Sequence, residues 1–280
     1  MGKFTKRRSG DSRTSLELRS MQNDWDLRAT EDAWYAIDTM TQHEDSSSFY
    51  ARSSELVPVI CDPVIERLAI DSHQEVVLEI GCGVGRLFPG LSDRFREVSG
   101  IDISSVMVAE GERNCPVSAR WIVGDGSSLA GVDDCSVGHV ISFEVFQHVP
   151  KIEFIESYFR EIFRVLRVGG TFQIQMRCGS DSKRQEQFRK LPRPMRVVAA
   201  KILGYLRRIG VRAAGELMVE GDIDTWLGTI VDPREISSYC ANLGFSDLAV
   251  LEDSVHVDGM GFWLIGRKAE IETTGRTKVS

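Results

Sequence analysis

Val76-Val-Leu-Glu-Ile-Gly-Cys-Gly-Val-Gly-Arg86 runs from a short apolar stretch into three glycines at alternate positions. A run rich in β-branched residues reads as a strand, and Gly81, Gly83 and Gly85 as the sharp turn that ends it. With no Cβ at those positions the backbone can approach a ligand closely. A dinucleotide fingerprint would place its third glycine one residue later, where Arg86 stands, and this counts against NAD. Taken alone, such a turn reads equally well as plain architecture.

The same rhythm continues outward from this point. Val98 to Ile103, Trp121 to Val123, His139 to Phe143 and Thr171 to Met176 are further short apolar or alternating runs. Helical segments separate them, at Arg86 to Phe95, Ser104 to Arg113 and Ile152 to Leu166. The last carries an apolar stripe through Phe154, Ile155, Tyr158, Phe159, Ile162, Phe163 and Leu166. Strands alternating with helices predict a parallel sheet covered on both faces. After Arg177 the alternation breaks and resumes at Asp232-Pro-Arg-Glu, a helix start with proline at N1, which runs to a capping Gly244. Two closing strands, Leu248 to Glu252 and Gly261 to Ile265, are joined by so short a loop that they must run antiparallel. Upstream, Leu16 to Met40 suits one or two imperfectly amphipathic helices. Glu55 to Ala69 suits another, with Pro58 and Pro63 limiting or kinking it.

Two acids complete a constellation with the glycine turn. Asp102 closes the second strand, where a carboxylate can accept both hydroxyls of a ribose. Gly124-Asp125-Gly126 follows the third strand, where an acid and nearby backbone can meet an adenine edge. Each acid by itself reads equally well as a helix cap or a solvated loop residue. Their order at successive strand ends is what favours a nucleoside site.

On these residues the sequence resembles the class I S-adenosylmethionine-dependent methyltransferases, from about Val76 to Arg177 and over the closing strands. Motif I of that family matches Val77 to Arg86, its ribose acid matches Asp102 in Gly-Ile-Asp-Ile-Ser, and its adenine-contact acid matches Asp125. Phe163-Arg-Val-Leu-Arg-Val-Gly-Gly-Thr171 is similar to the family segment before the fifth strand, with Val168 in place of proline. The resemblance implies S-adenosyl-L-methionine as cofactor. It places Glu79 and the backbone of Gly81 at its methionine end, with Cys82 and Gly83 also in the cofactor site. Ile103 and Met107 would line ribose and adenine, with Gly126 and Phe143 also in the site. It implies an α/β fold with a Rossmann-like seven-stranded, mostly parallel sheet, a C-terminal antiparallel strand and helices on both faces. A helical extension over 14–70 precedes the domain of 71–268, and a lid insertion over 178–230 follows strand five. Residues 1–13 and 269–280 read as disordered tails.

Methyl transfer from a sulfonium is an in-line displacement. The protein contributes mainly by holding the acceptor at about 3–3.5 Å and excluding water. A hydroxyl acceptor also needs a base, and the candidate is His148, in Phe143-Glu-Val-Phe-Gln-His-Val-Pro150 past the fourth strand. A packing or capping role for His148 stands beside that reading, and Glu144 and His256 are weaker candidates. The position after the fourth strand holds Ser142-Phe-Glu-Val rather than the Asn/Asp-Pro-Pro-aromatic motif of DNA amino methyltransferases, and no Asp-Asn pair of metal ligands. These absences leave a metal-independent enzyme methylating a hydroxyl of a small metabolite. N-methylation of a small amine and noncatalytic cofactor binding or docking are the alternatives.

In the insertion, Pro194 to Arg208 reads as an amphipathic helix carrying Arg196, Lys201, Arg207 and Arg208. It is either a surface helix with solvated charges or a lid favouring acidic or amphiphilic acceptors at a membrane surface. Arg177 is placed to touch the acceptor, and Trp34 and Tyr35 to close over the cofactor, with core packing the favoured reading of Trp34; Trp226 reads equally as shaping the pocket or as core. The whole chain, 280 residues with a net charge of −7, lacks the basic footprint of a nucleic-acid binder. Its six cysteines show no Cys-x-x-Cys pair and read as reduced thiols without zinc, in a cytoplasmic protein.

Overall fold

The computed structural model describes residues 10–38, 45–178, 228–255 and 261–270. Seven strands form one sheet: β1 (Val76–Ile80), β2 (Glu97–Asp102), β3 (Arg120–Val123), β4 (Val137–Ser142), β5 (Leu166–Arg177), β6 (Phe245–Glu252) and β7 (Gly261–Lys268). Their spatial order is β3-β2-β1-β4-β5-β7-β6. β1 to β5 are parallel, with pairs such as Leu78↔Ser99 and Ile141↔Gln173, whereas β7 runs antiparallel to both β5 and β6. This is the mostly parallel seven-stranded sheet expected, and β7 is its one reversed strand. The order reverses direction between β1 and β4, and a crevice opens beyond the strand ends at such a point.

Helices cover both faces. On one, α6 (Ile152–Val165) and α7 (Pro233–Leu243) bury Ile155, Phe159, Ile162 and Ile236 in a core shared with Leu78, Val140 and Phe172. On the other, α3 (Ser53–Arg67) and α4 (Phe88–Ser92) bury Val57, Ile60 and Leu91 with Val77, Ile141 and Ile265. β4 is buried along its length, as a central parallel strand must be. Its polar side chains each make a hydrogen bond, although His139 Nε2 is buried with no partner among the described residues. His139 Nδ1 lies 2.8 Å from Thr171 Oγ1, and Ser142 Oγ donates to Ile80 O at 2.8 Å.

The local boundaries differ from the sequence reading in instructive ways. The extension expected from residue 14 begins at Gly10, as α1 (Gly10–Ile37), and it breaks at Asp32, where φ is −167° and ψ 98°. Asp32 Oδ1 accepts from Tyr35 N at 3.0 Å, so it caps the second half as a new helix start. α3 passes through Pro58 and Pro63 instead of ending at them. α4 is shorter than expected, since Gly85 (φ +79°) still belongs to the turn and Pro89 occupies the first turn of the helix. α5 (Ser105–Asn114) and α7 start and stop as read. Asp232 Oδ1 caps Arg234 N at 2.8 Å, and Gly244 (φ +102°) closes α7.

No helix among the described residues is long and apolar enough to cross a membrane. The helix expected over 194–208, Trp226 and His256 lie outside the described residues.

Candidate cofactor cleft

The turn after β1 is built around the end of β2. Gly81 N and Cys82 N both donate to Ile101 O, at 2.7 and 3.3 Å, and Gly85 N donates to Cys82 O at 2.7 Å. Gly83 N donates to Asp102 Oδ2 at 2.8 Å. The turn thus spends these four N–H groups on the protein itself. A pyrophosphate would need such donors aimed outward, so this turn is poorly suited to a dinucleotide. Gly81 has φ +74°, and a Cβ there would stand 2.3 Å from Val145.

Of the eleven site residues expected from sequence, Glu79, Gly81, Cys82, Gly83, Asp102, Ile103, Met107, Gly126, Phe143 and His148 line one cleft. Asp125 does not. It is exposed at the surface, and its Oδ1 accepts from Ser127 N and Ser128 N at 2.8 and 2.7 Å. Those bonds hold the Asp125 carboxyl below the usual range against the cost of partial burial. The cleft wall at this strand end is the backbone of Gly124 and Gly126 instead.

Glu79, at the end of β1, is 3% exposed, and its Oε2 is buried with no hydrogen-bond partner. Burial pushes its carboxyl well above the ordinary value, Arg86 pulls the other way and Asp102 adds to the rise. A buried carboxylate oxygen without a donor is costly, so this atom marks where a cationic or donor group belongs. Asp102 accepts from Gly83 N on one oxygen and from Ser104 N on the other, at 2.8 Å each. Burial raises its pKa and these two backbone bonds oppose the rise. Each oxygen keeps a second lone pair for a hydroxyl donor.

The opposite wall follows β4. Glu144 forms an ion pair with Arg86, whose guanidinium lies 5.4 Å from the Phe143 ring centroid. Glu144 sits in the left-handed region at φ +60°, and its N–H donates to Gln175 Oε1 at 2.8 Å. His148 ends a single 3-10 turn (Phe146–His148), with the Trp25 ring meeting it edge-on at 5.3 Å. Gly228 N and Thr229 N donate to the carbonyls of Gln147 and Val149, at 3.0 and 2.8 Å, so the chain after the insertion returns beside this loop.

The residues closing the cleft differ from those expected. Met21 and Trp25 of α1 line it, as do Arg86, Glu144 and Gln147. Trp34 instead stacks on Phe49 at 5.7 Å, Tyr35 is half-exposed, and Arg177 is outside the lining residues, its carbonyl accepting from Val231 N at 3.0 Å. Met21 and Trp25 are spaced one helical turn apart. That spacing was legible, but which sheet edge the stripe would cover was not. Among the described residues the charged side chains of the lining are Asp38, Glu79, Asp102 and Glu144 against Arg86, an excess of carboxylate that Arg52, paired with Asp38 at 2.7 Å, reduces.

Residues 78–174 match the family described as methyltransferase domain. The chain is 35% identical over 101 residues to CRG1 of Saccharomyces cerevisiae, a probable S-adenosylmethionine-dependent methyltransferase. The aligned stretch is 34% of this chain and 33% of that protein, so the chain spans about a third of the curated relative it matches. Geranyl diphosphate C-methyltransferase from Streptomyces coelicolor A3(2), solved with Mg2+, geranyl diphosphate and S-adenosyl-L-homocysteine, superposes with a TM-score of 0.57 at 15% identity. That superposition covers 90% of this chain and 97% of that one. A methyltransferase from Methanosarcina mazei superposes with a TM-score of 0.51 at 20% identity, covering 75% and 98%. At these identities the two structures speak to the fold alone.

Proposed function

We propose that the chain, whose residues 78–174 match the methyltransferase domain family, is a class I S-adenosylmethionine-dependent methyltransferase that moves a methyl group onto a hydroxyl of a small metabolite without a metal ion. A sugar, a glycolipid or a natural-product intermediate would fit this description. The observation that carries the reading is Glu79, which lines an acid-rich cleft and whose buried Oε2 has no donor among the described residues. A ligand with an ammonium and a sulfonium meets that need, and an anionic dinucleotide does not.

S-adenosylmethionine, when bound, supplies a methyl group made electrophilic by its positive sulfur. Glu79 would hold the ammonium of its methionine end. Asp102 would accept the ribose hydroxyls, and Ile103, Met107 and Gly126 would form the wall at its base. Trp25, Met21 and Phe143 would keep water from the reacting atoms. His148, on the loop after β4, would take the acceptor's proton as the hydroxyl oxygen attacks. The carboxylate excess supports a neutral or amphiphilic acceptor over an acidic one.

Calorimetric titration with S-adenosylhomocysteine, with NAD as control, tests the cofactor. At about 100 times its dissociation constant the ligand should also stabilise the fold by roughly 2.7 kcal/mol. Failure of a folded sample to bind would overturn the reading. For the acceptor, a His148→Ala pH–rate profile separates a hydroxyl from an already nucleophilic amine. An unchanged profile removes the base and favours N-methylation. Binding without turnover on any acceptor would favour a noncatalytic role.

A further inference from the structure

α1 lies outside the stretch matched by the methyltransferase domain, yet it makes polar contacts with the loop that carries Asp102. Asp26 Oδ1 accepts from Ser104 Oγ at 2.6 Å and from Val106 N at 3.3 Å. One helical turn earlier, Gln22 Nε2 donates to Ile103 O at 3.0 Å. Ser104 is fully buried and is the N-cap of α5, its Oγ accepting from Met107 N at 3.1 Å. A hydroxyl has one proton to give, and that of Ser104 goes to Asp26. Its backbone N–H goes to Asp102 Oδ1 at 2.8 Å. One buried serine therefore joins a carboxylate from α1 to the carboxylate at the end of β2.

This arrangement has a cost that simple docking would avoid. Two carboxylates on one serine repel, and Asp26 accordingly adds to the upward push on the Asp102 carboxyl. A neutral acceptor at position 26 would anchor the helix without that repulsion. A carboxylate there makes the shorter, stronger bond to the serine hydroxyl and fixes the rotation of the N-cap from which Asp102 is held.

We propose that Asp26 is a positioning residue for the cofactor, acting through Ser104 to orient the Asp102 carboxylate toward the ribose hydroxyls. The proposal rests on the ribose reading of Asp102 given above. The α1 helix is then part of the cofactor site as well as its cover.

Calorimetry with S-adenosylhomocysteine and its 2′-deoxy analogue tests this on the full chain. Asp26→Ala should weaken the ribose ligand about tenfold and the 2′-deoxy analogue, which leaves Asp102 only the 3′ hydroxyl, by a clearly smaller factor. Asp26→Asn, which keeps an acceptor oxygen, should recover most of the loss. Asp26→Ala added to Asp102→Ala should cost nothing further. Met21→Ala, which alters the cleft wall without touching Ser104, should weaken both ligands alike. If Asp26→Ala does not fold, Asp26→Ser, too short to reach Ser104, carries the same comparison. Equal losses for the two ligands would reduce Asp26 to a docking contact and overturn the proposal. Wild-type protein that binds both ligands equally well would instead refute the ribose reading of Asp102, and the proposal with it.

Discussion

Gly83 donates its backbone N–H to Asp102 Oδ2 at 2.8 Å, tying the turn after β1 to the acid that ends β2. The two halves of the proposed nucleoside site are thereby one hydrogen-bonded unit. Asp102→Ala therefore leaves Gly83 N and Ser104 N without their acceptors and removes the ribose partner together. Affinity for S-adenosylhomocysteine should fall about 10- to 100-fold by calorimetry. A variant that binds as wild type would mean the ribose lies elsewhere.

Glu79 should make cofactor binding pH-dependent. In the free protein burial holds its carboxyl well above the ordinary range, while an ammonium delivered beside it favours the charged form. Binding then releases a proton at pH values between the lowered pKa of the complex and the raised pKa of the free protein. Affinity should rise with pH across that window and level off above it. Titrations in buffers of different ionisation heat count the proton, and Glu79→Gln should abolish both the release and the slope. A slope that survives the substitution would assign the proton to another group.

His139 should give the fold an acid limit. Burial lowers its pKa to about 4, against about 6.5 in the unfolded chain. Between those values the unfolded chain holds a proton that the folded one refuses. Stability is thus full above about pH 6.5 and declines as pH falls toward 4, by on the order of 3 kcal/mol. Urea melts of wild type and His139→Leu across this range should diverge in slope, the variant being flatter. Parallel slopes would show that His139 takes up its proton equally in the folded and unfolded states.

Gly100, in the middle of β2, lets the glycine turn lie directly on the strand. A Cβ there would stand 2.5 Å from Phe88 and 2.6 Å from Cys82. Gly100→Ala should destabilise the protein by about 1–3 kcal/mol through overpacking and weaken S-adenosylhomocysteine binding by displacing Cys82. Thermal melts and calorimetry on the same sample check both effects. Loss of stability with unchanged affinity would show that the turn absorbs the strain without moving.

The parallel strands, the glycine turn, Glu79 and Asp102 were legible because each rests on a local pattern: alternation of strand and helix, glycine spacing, or an acid at a strand end. Asp125 carried an equally good local signal, but its carboxylate is taken up by Ser127 and Ser128 within its own loop. Short polar side chains readily satisfy nearby backbone donors, and nothing in the residue order distinguishes that outcome from a ligand contact. Trp34 and Trp25 belong to one amphipathic segment, and of the two only Trp25 reaches the cleft: Trp34 stacks on Phe49, while Ala36, Ile37 and Asp38 beside it line the cleft.

The order of strands and helices, the position of the nucleoside constellation and the reversal of the last strand were determined by the sequence itself. Hydrophobic period and turn chemistry act over a few residues, and parallel connectivity leaves few ways to arrange what they specify. Tertiary structure alone decided which side chains meet in and beside the cleft: Asp26 with Ser104 behind its wall, Arg86 with Glu144, Trp25 against His148. These pairs lie 58 to 123 residues apart in the chain, and their meeting depends on how α1 and the loop after β4 pack over the strand ends. Long-range packing of this kind selects one partner among many of the same chemical type, and no local pattern encodes that choice.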